Sequence, residues 1–216
     1  MSVQLAIPPR TAALVAYLAA ATNLAAAIAM LLLLRPGLPA LSGTVDQHIA
    51  YIAGHLTLWR LGWLLWNAAA VSLLAFYTGL AGVFVSRAPL ICALALVVAT
   101  AGIAADLSAE ALYMGVGADL GPGPFAALEH AASLLTGYVG NGLYTLAGVL
   151  LVWAGAREIP RPLLLLSLPV WAAGLALSGS SLVGFIPGQI WSTAALMPLF
   201  VIWTGLMGRW LASRGS

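Results

Sequence analysis

Within residues 104–113, AADLSAEALY, Asp106 and Glu110 stand one helical turn apart at the end of a long apolar run. Tyr113 continues their face at spacings of four and three. The chain has only six acidic residues, so a pair placed beside an apolar run calls for a reason. Carboxyl groups so placed can pair with a cation from a neighbouring helix, hold a small cation or ligand, or deliver a proton as general acids. Two other stretches carry groups that could join them. One holds His55, Trp59, Arg60, Trp63 and Asn67, of which Arg60, Trp63 and Asn67 share a helical face. The other holds Glu129, His130, Asn141 and Tyr144. At uninterrupted helical spacing, His130, Gly137, Asn141 and Tyr144 share one face, and Glu129, Ser133, Thr136 and Gly140 share the next.

The elements that must position these groups follow from composition. The chain is 62% hydrophobic and 6% charged over 216 residues. A soluble domain carries about 25% charged residues, so this composition implies an integral membrane protein. Spanning a bilayer takes about 20 apolar residues per helix. Six segments meet that requirement, at about 11–34, 60–85, 88–113, 125–156, 162–179 and 189–208. The expected fold is all-α, a single transmembrane domain over 1–216. The first segment exceeds the 7–15-residue apolar core of a signal peptide, so it is expected to remain. The uncharged stretch 162–208 is split in this reading by Gly179-Ser180-Ser181 and Pro187-Gly188, and Pro169 and Pro198 fall within its two helices. Before the second span, Thr44 and Gln47 have capping-box spacing, and Val45, Ile49, Ile52 and Leu56 recur helically. This predicts a short helix at the outer interface, running into the second span.

Arginine sets the orientation, because lysine is absent. Arg10, Arg87, Arg157, Arg161, Arg209 and Arg214 fall on one side of a six-span layout, and Arg35 and Arg60 on the other. The positive-inside rule places both termini in the cytoplasm, with the protein in the cytoplasmic membrane. The scattered arginines form no basic stripe, so nucleic acid is not an expected partner. The single Cys92 excludes an intrachain disulfide and a cysteine-based metal motif.

This topology carries the polar groups of spans two, three and four to similar depth on the outer side. It predicts a pocket of His55, Arg60, Trp63, Asn67, Asp106, Glu110, Tyr113, Glu129, His130 and Asn141, with Asn23 near mid-depth of span one. Arg60 is the expected partner of Asp106 or Glu110, through bidentate pairing. It cannot balance Asp106, Glu110 and Glu129 together. Either a carboxyl keeps its proton, or a protonated His130, a bound cation or a cationic ligand completes the balance.

Other chemistries fit less of the pattern. His55, His130 and the carboxylates are of types that suit zinc or iron, but neither HExxH nor the Glu-x-x-His of di-iron bundles occurs. No metal site is therefore assigned, and the sequence specifies no cofactor. The carboxyls could protonate a lipid or isoprenoid substrate, with Trp59, Trp63 and Trp66 lining the site. Equally, tryptophans gather at membrane interfaces. Kinked spans and buried asparagines suit a small carrier, yet glycines such as Gly137, Gly140, Gly142 and Gly148 also serve close helix packing. A short-looped protein of this kind can also be a subunit of a larger membrane complex.

Three short stretches, Arg60-Leu61-Gly62, Asn141-Gly142-Leu143 and the Trp203–Gly208 run WTGLMG, resemble the pattern of a bacterial domain-of-unknown-function family of six-helix membrane proteins. The resemblance would span nearly the whole chain and implies architecture alone. AADLSAEALY lies outside that pattern. The functional expectation is thus a multi-pass membrane protein with an outward-facing acidic and aromatic pocket for a small ligand or cation. The alternatives are a membrane-embedded enzyme using a carboxylic acid, and a non-catalytic subunit with a membrane-protein partner.

Overall fold

The computed structural model describes residues 7–38, 44–116 and 120–215. Among the described residues there is no β-strand. Helix α1 (Pro9–Ala29) continues through a π-helical turn (Met30–Leu34) and a 3-10 turn (Arg35–Gly37). It is followed by α2 (Val45–Gly54), α3 (Leu56–Phe84) and α4 (Pro89–Val116). Helix α5 (Pro122–Ser133), a π-helical segment (Leu134–Gly140) and α6 (Asn141–Gly155) form one rod. Helices α7 (Arg161–Leu182) and α8 (Ile186–Arg214) complete the bundle. Six of these rods are long and apolar enough to cross a membrane: Pro9–Gly37, Leu56–Phe84, Pro89–Gly115, Pro122–Gly155, Arg161–Leu182 and Ile186–Arg214.

Local signals explain the ends. Thr44 Oγ1 accepts from the Gln47 amide at 3.4 Å and Gln47 Oε1 accepts from the Thr44 amide at 2.8 Å, a complete capping box that starts α2. Proline occupies the first turn of α1, α5, α7 and α8, where no amide donor is needed. The uncharged stretch does not break at Gly179–Ser181, which stays helical. The chain turns instead at 183–185, where Gly184 adopts φ +66° and the Phe185 amide donates back to the Ser180 carbonyl at 2.8 Å. Only the residue without a Cβ takes that left-handed conformation at no steric cost.

Helix α1 packs on α3 and α8, α7 on α8, and α4 on both α3 and α6, while the π segment lies against α4 and α7. The apolar core has two parts. One, toward the chain termini, gathers Phe76, Tyr77, Phe84, Leu151, Trp171, Trp203 and Met207. The other, toward the far end, gathers Leu34, Ile52, Trp59, Trp63, Ala109, Tyr113, Phe125 and Ala132. At the termini end, Glu158 binds Arg87 at 3.3 Å and also Arg214. It thereby joins the α3–α4 turn, the α6–α7 turn and the end of α8.

Helices α4 and the fourth rod touch where both lack side chains. A Cβ on Gly102 would stand 2.9 Å from Leu143 Cβ and 3.0 Å from the Gly140 carbonyl oxygen. This crossing brings the next turn of α4, which carries Asp106, against α6. Gly102→Leu is therefore expected to lower stability by about 1–3 kcal/mol, the usual cost of overpacking. Reversible unfolding in mixed micelles measures this, and an unchanged midpoint would contradict the close crossing.

Candidate functional site

The far-end core encloses the acidic pair. Asp106 is 4% exposed and Glu110 0%. Both face inward from α4, as expected for residues one turn apart. Tyr144, on α6, donates its hydroxyl to Asp106 Oδ2 at 2.6 Å. Tyr77, on α3, donates in turn to the Tyr144 carbonyl at 2.9 Å. Asp106 is thus held by a hydroxyl whose own backbone is tied to a third helix.

Glu110 differs. Neither carboxyl oxygen has a hydrogen-bond partner, and both are closed off from the surface. Polar groups buried this way normally find partners, and an unmet one costs about 1–3 kcal/mol.

Aromatic rings gather in the core on the far-end side of the pair. Trp63 stacks on Tyr113 with centroids 5.0 Å apart and planes 6° apart. Trp59 meets Trp63 and Tyr113 edge-on, and its indole donates to the Tyr113 carbonyl at 3.1 Å. The Trp63 indole nitrogen is buried without an acceptor. Above the rings, Glu129 of α5 lies buried against His48 of α2, with Nδ1 and Oε1 3.6 Å apart. The Tyr113 hydroxyl reaches the Glu129 carbonyl at 3.5 Å.

The expected pocket therefore divides. Trp63, Asp106, Glu110, Tyr113 and Glu129 are all buried in the far-end half of the bundle. Arg60 is not their partner. It is exposed, and its Nε donates to the Met114 carbonyl at 3.1 Å, within the last turn of α4. Consecutive residues on a helix point about 100° apart. With Trp59 turned inward, Arg60 is directed to the rim, where a cation favours a helix C-terminus. His55 is exposed, stacked on Tyr51 at 4.6 Å. His130 is exposed as well, one residue round from Glu129. Asn67 bonds within its own helix, to the Trp63 carbonyl at 2.9 Å, and Asn23 likewise to Ala19 at 2.9 Å. Asn141 donates to the Gly174 carbonyl at 2.6 Å and to Ser178 Oγ at 2.9 Å, joining α6 to α7.

The fourth rod departs from the uninterrupted helical register because of its π segment. Its wide i→i+5 turns rotate everything after residue 140 relative to everything before 134. Within α5 Glu129 is buried with Phe125 and Ala132, and across the π segment His130, which is exposed, does not share the face of buried Asn141.

His48 was outside the expected pocket. The stripe Val45, Ile49, Ile52 drew attention away from it, but His48 and Ile52 are themselves one turn apart and are the two buried residues of α2. Reading that i, i+4 pair would have found it. Among the described residues, no three His, Cys, Asp or Glu side chains converge to hold one metal ion. What the far half of α4 buries is oxygen: the Asp106 carboxyl with the Tyr144 hydroxyl on it, and the Glu110 carboxyl one turn on.

No family model matches this chain, and no curated protein or solved structure is significantly similar to it.

Removing the one hydroxyl that reaches Asp106 should be costly. Tyr144→Phe is expected to lower stability by about 1–3 kcal/mol, because it leaves a buried acceptor unmet. A Tyr144→Phe variant as stable as the parent in mixed-micelle unfolding would contradict the bond.

Proposed function

We propose that this is a multi-pass protein of the cytoplasmic membrane, with both termini cytoplasmic, that binds a small cation, an alkali ion or a proton, at Asp106 and Glu110. The observation that carries this reading is Glu110, whose two carboxyl oxygens are buried and unpartnered one turn from a second buried carboxyl. An unpaired charge costs about 2.5–3.5 kcal/mol at the centre of a membrane helix on insertion scales, and less toward the helix end where Glu110 stands. Two such groups without a facing arginine are a poor device for holding helices together. They suit a group that must accept a positive charge. The binding surface is then narrower than the ten residues the sequence brings forward. Asp106 and Glu110 supply the oxygens, Tyr144 fixes Asp106, and Trp63 with Tyr113 excludes water. The six arginines on the termini side support the assigned orientation.

The test is stability of the purified protein in lipid nanodiscs, titrated with lithium, sodium, potassium and hydrogen ions, with choline as the control. A ligand that binds only the folded state raises stability by about 2.7 kcal/mol at a hundred times its Kd. At least one of these cations should shift the unfolding midpoint of the parent. Glu110→Gln should fold, remain within about 1 kcal/mol of the parent without added cation, and lose that shift. A shift of equal size in Glu110→Gln, or none with any cation, would overturn the assignment.

A further inference from the structure

A cation cannot reach Glu110 in the arrangement described, because the carboxyl is fully enclosed. If the proposed binding occurs, some element beside the site has to move, and the elements differ in how firmly they are held. Helix α3 buries thirteen residues, whereas α2 buries two, His48 and Ile52. Segments with few buried contacts open locally at the lowest free energy.

Helix α2 is also built as a separate piece. Only His55 joins it to α3, and that residue leaves helical geometry at φ −132° and ψ 33°. A Cβ on the preceding Gly54 would meet nothing within 4 Å, so that side of the junction is open. Beneath α2 lies the aromatic wall: Ile52 belongs to the same core cluster as Trp59, Tyr113, Phe125 and Ala109, the neighbour of Glu110. Among the described residues, polar contacts tie the helix to both of its neighbours. His48 meets Glu129 of α5 at 3.6 Å, and the Tyr51 hydroxyl donates to the Leu33 carbonyl at 2.7 Å. A helix that served only to pack would gain more from an apolar residue at position 48, since a buried polar pair contributes little net stability. Polar pairs of this kind are best attested in registry and switching.

We propose that α2 is a hinged gate over the acidic site, latched by His48 on Glu129, and that the path from water to Glu110 opens beneath it at the end of the bundle opposite the termini. The proposal rests on the cation reading for its purpose, but its geometry can be tested separately.

The experiment labels carboxyl groups in the full-length protein in nanodiscs, using a water-soluble carbodiimide with glycinamide and quantifying Glu110 by mass spectrometry. Exposed Asp46 reports that the reagent works, and buried Cys92, alkylated in parallel, reports any opening of the whole bundle. His48→Ala and Glu129→Gln should each speed Glu110 labelling about tenfold, corresponding to a latch of about 1.4 kcal/mol, and the double variant should add little. Ile52→Ala, which loosens α2 without touching the latch, should speed it as well. Cys92 should stay protected in all of them. Should the latch variants fail to fold, Ile52→Ala alone decides whether α2 covers the path. Unchanged labelling in the variants, or no labelling of Glu110 in any of them while Asp46 reacts, would overturn the gate. If labelling speeds up but no cation shifts stability, the gate stands and the cation reading falls. If cations bind through Glu110 but labelling ignores α2, the reverse holds.

Discussion

A buried carboxyl pair without a facing cation is the constraint around which the far half of this molecule is arranged. Hydrocarbon supplies no hydrogen bonds, so every polar group within a span must be met from inside the protein. Asp106 is met by the Tyr144 hydroxyl, and that geometry depends on the glycine crossing one turn below, where Gly102 and Gly140 let α4 and the fourth rod touch. Glu110, one turn on, has no such partner. The stacked Trp63 and Tyr113 rings lie in the core on the far-end side of the pair. The deficit at Glu110 is local, and the helices around it are otherwise well packed.

Several other polar and charged groups have ordinary partners, which sharpens the contrast. Glu158 is met by Arg87 and Arg214 and joins three chain segments at the termini end. Arg60 serves the C-terminal turn of α4 from the rim. Glu129 lies against His48. Asn141 bridges two helices, and Asn23 and Asn67 bond within their own. Single buried atoms of Glu129, Trp63, Trp171 and Ser181 also lack a hydrogen bond, but among the described residues Glu110 is the side chain with both carboxyl oxygens buried and unmet.

Much of this was legible in the sequence, for definite reasons. Long uncharged runs between arginines mark the six rods, and the Thr44–Gln47 spacing marks the start of α2. Asp106, Glu110 and Tyr113 share a face because α4 is a regular helix there. Reading failed where the backbone left the regular period. The π segment at Leu134–Gly140 rotates the faces after it relative to those before it, so His130 and Asn141 part, and no residue type in LLTGYVG announces that change. Gly179-Ser180-Ser181 has the composition of a break, which puts the expected turn a few residues before Gly184, yet Ser181 is buried against Gly137 of the fourth rod. The expected pairing of Arg60 with the carboxyls rests on shared depth and on guanidinium–carboxylate chemistry. Depth can be inferred from position in a span, whereas azimuth depends on which neighbour, here Trp59, the packing turns inward.

The most direct test of the central claim is an infrared difference spectrum of the protein in nanodiscs, recorded as the bound cation is exchanged. The account predicts carboxyl bands that change with the cation, disappear in Glu110→Gln and persist in a variant altered at the termini-end cluster, Glu158→Gln. Bands that survive Glu110→Gln unchanged, or vanish only with Glu158, would contradict it.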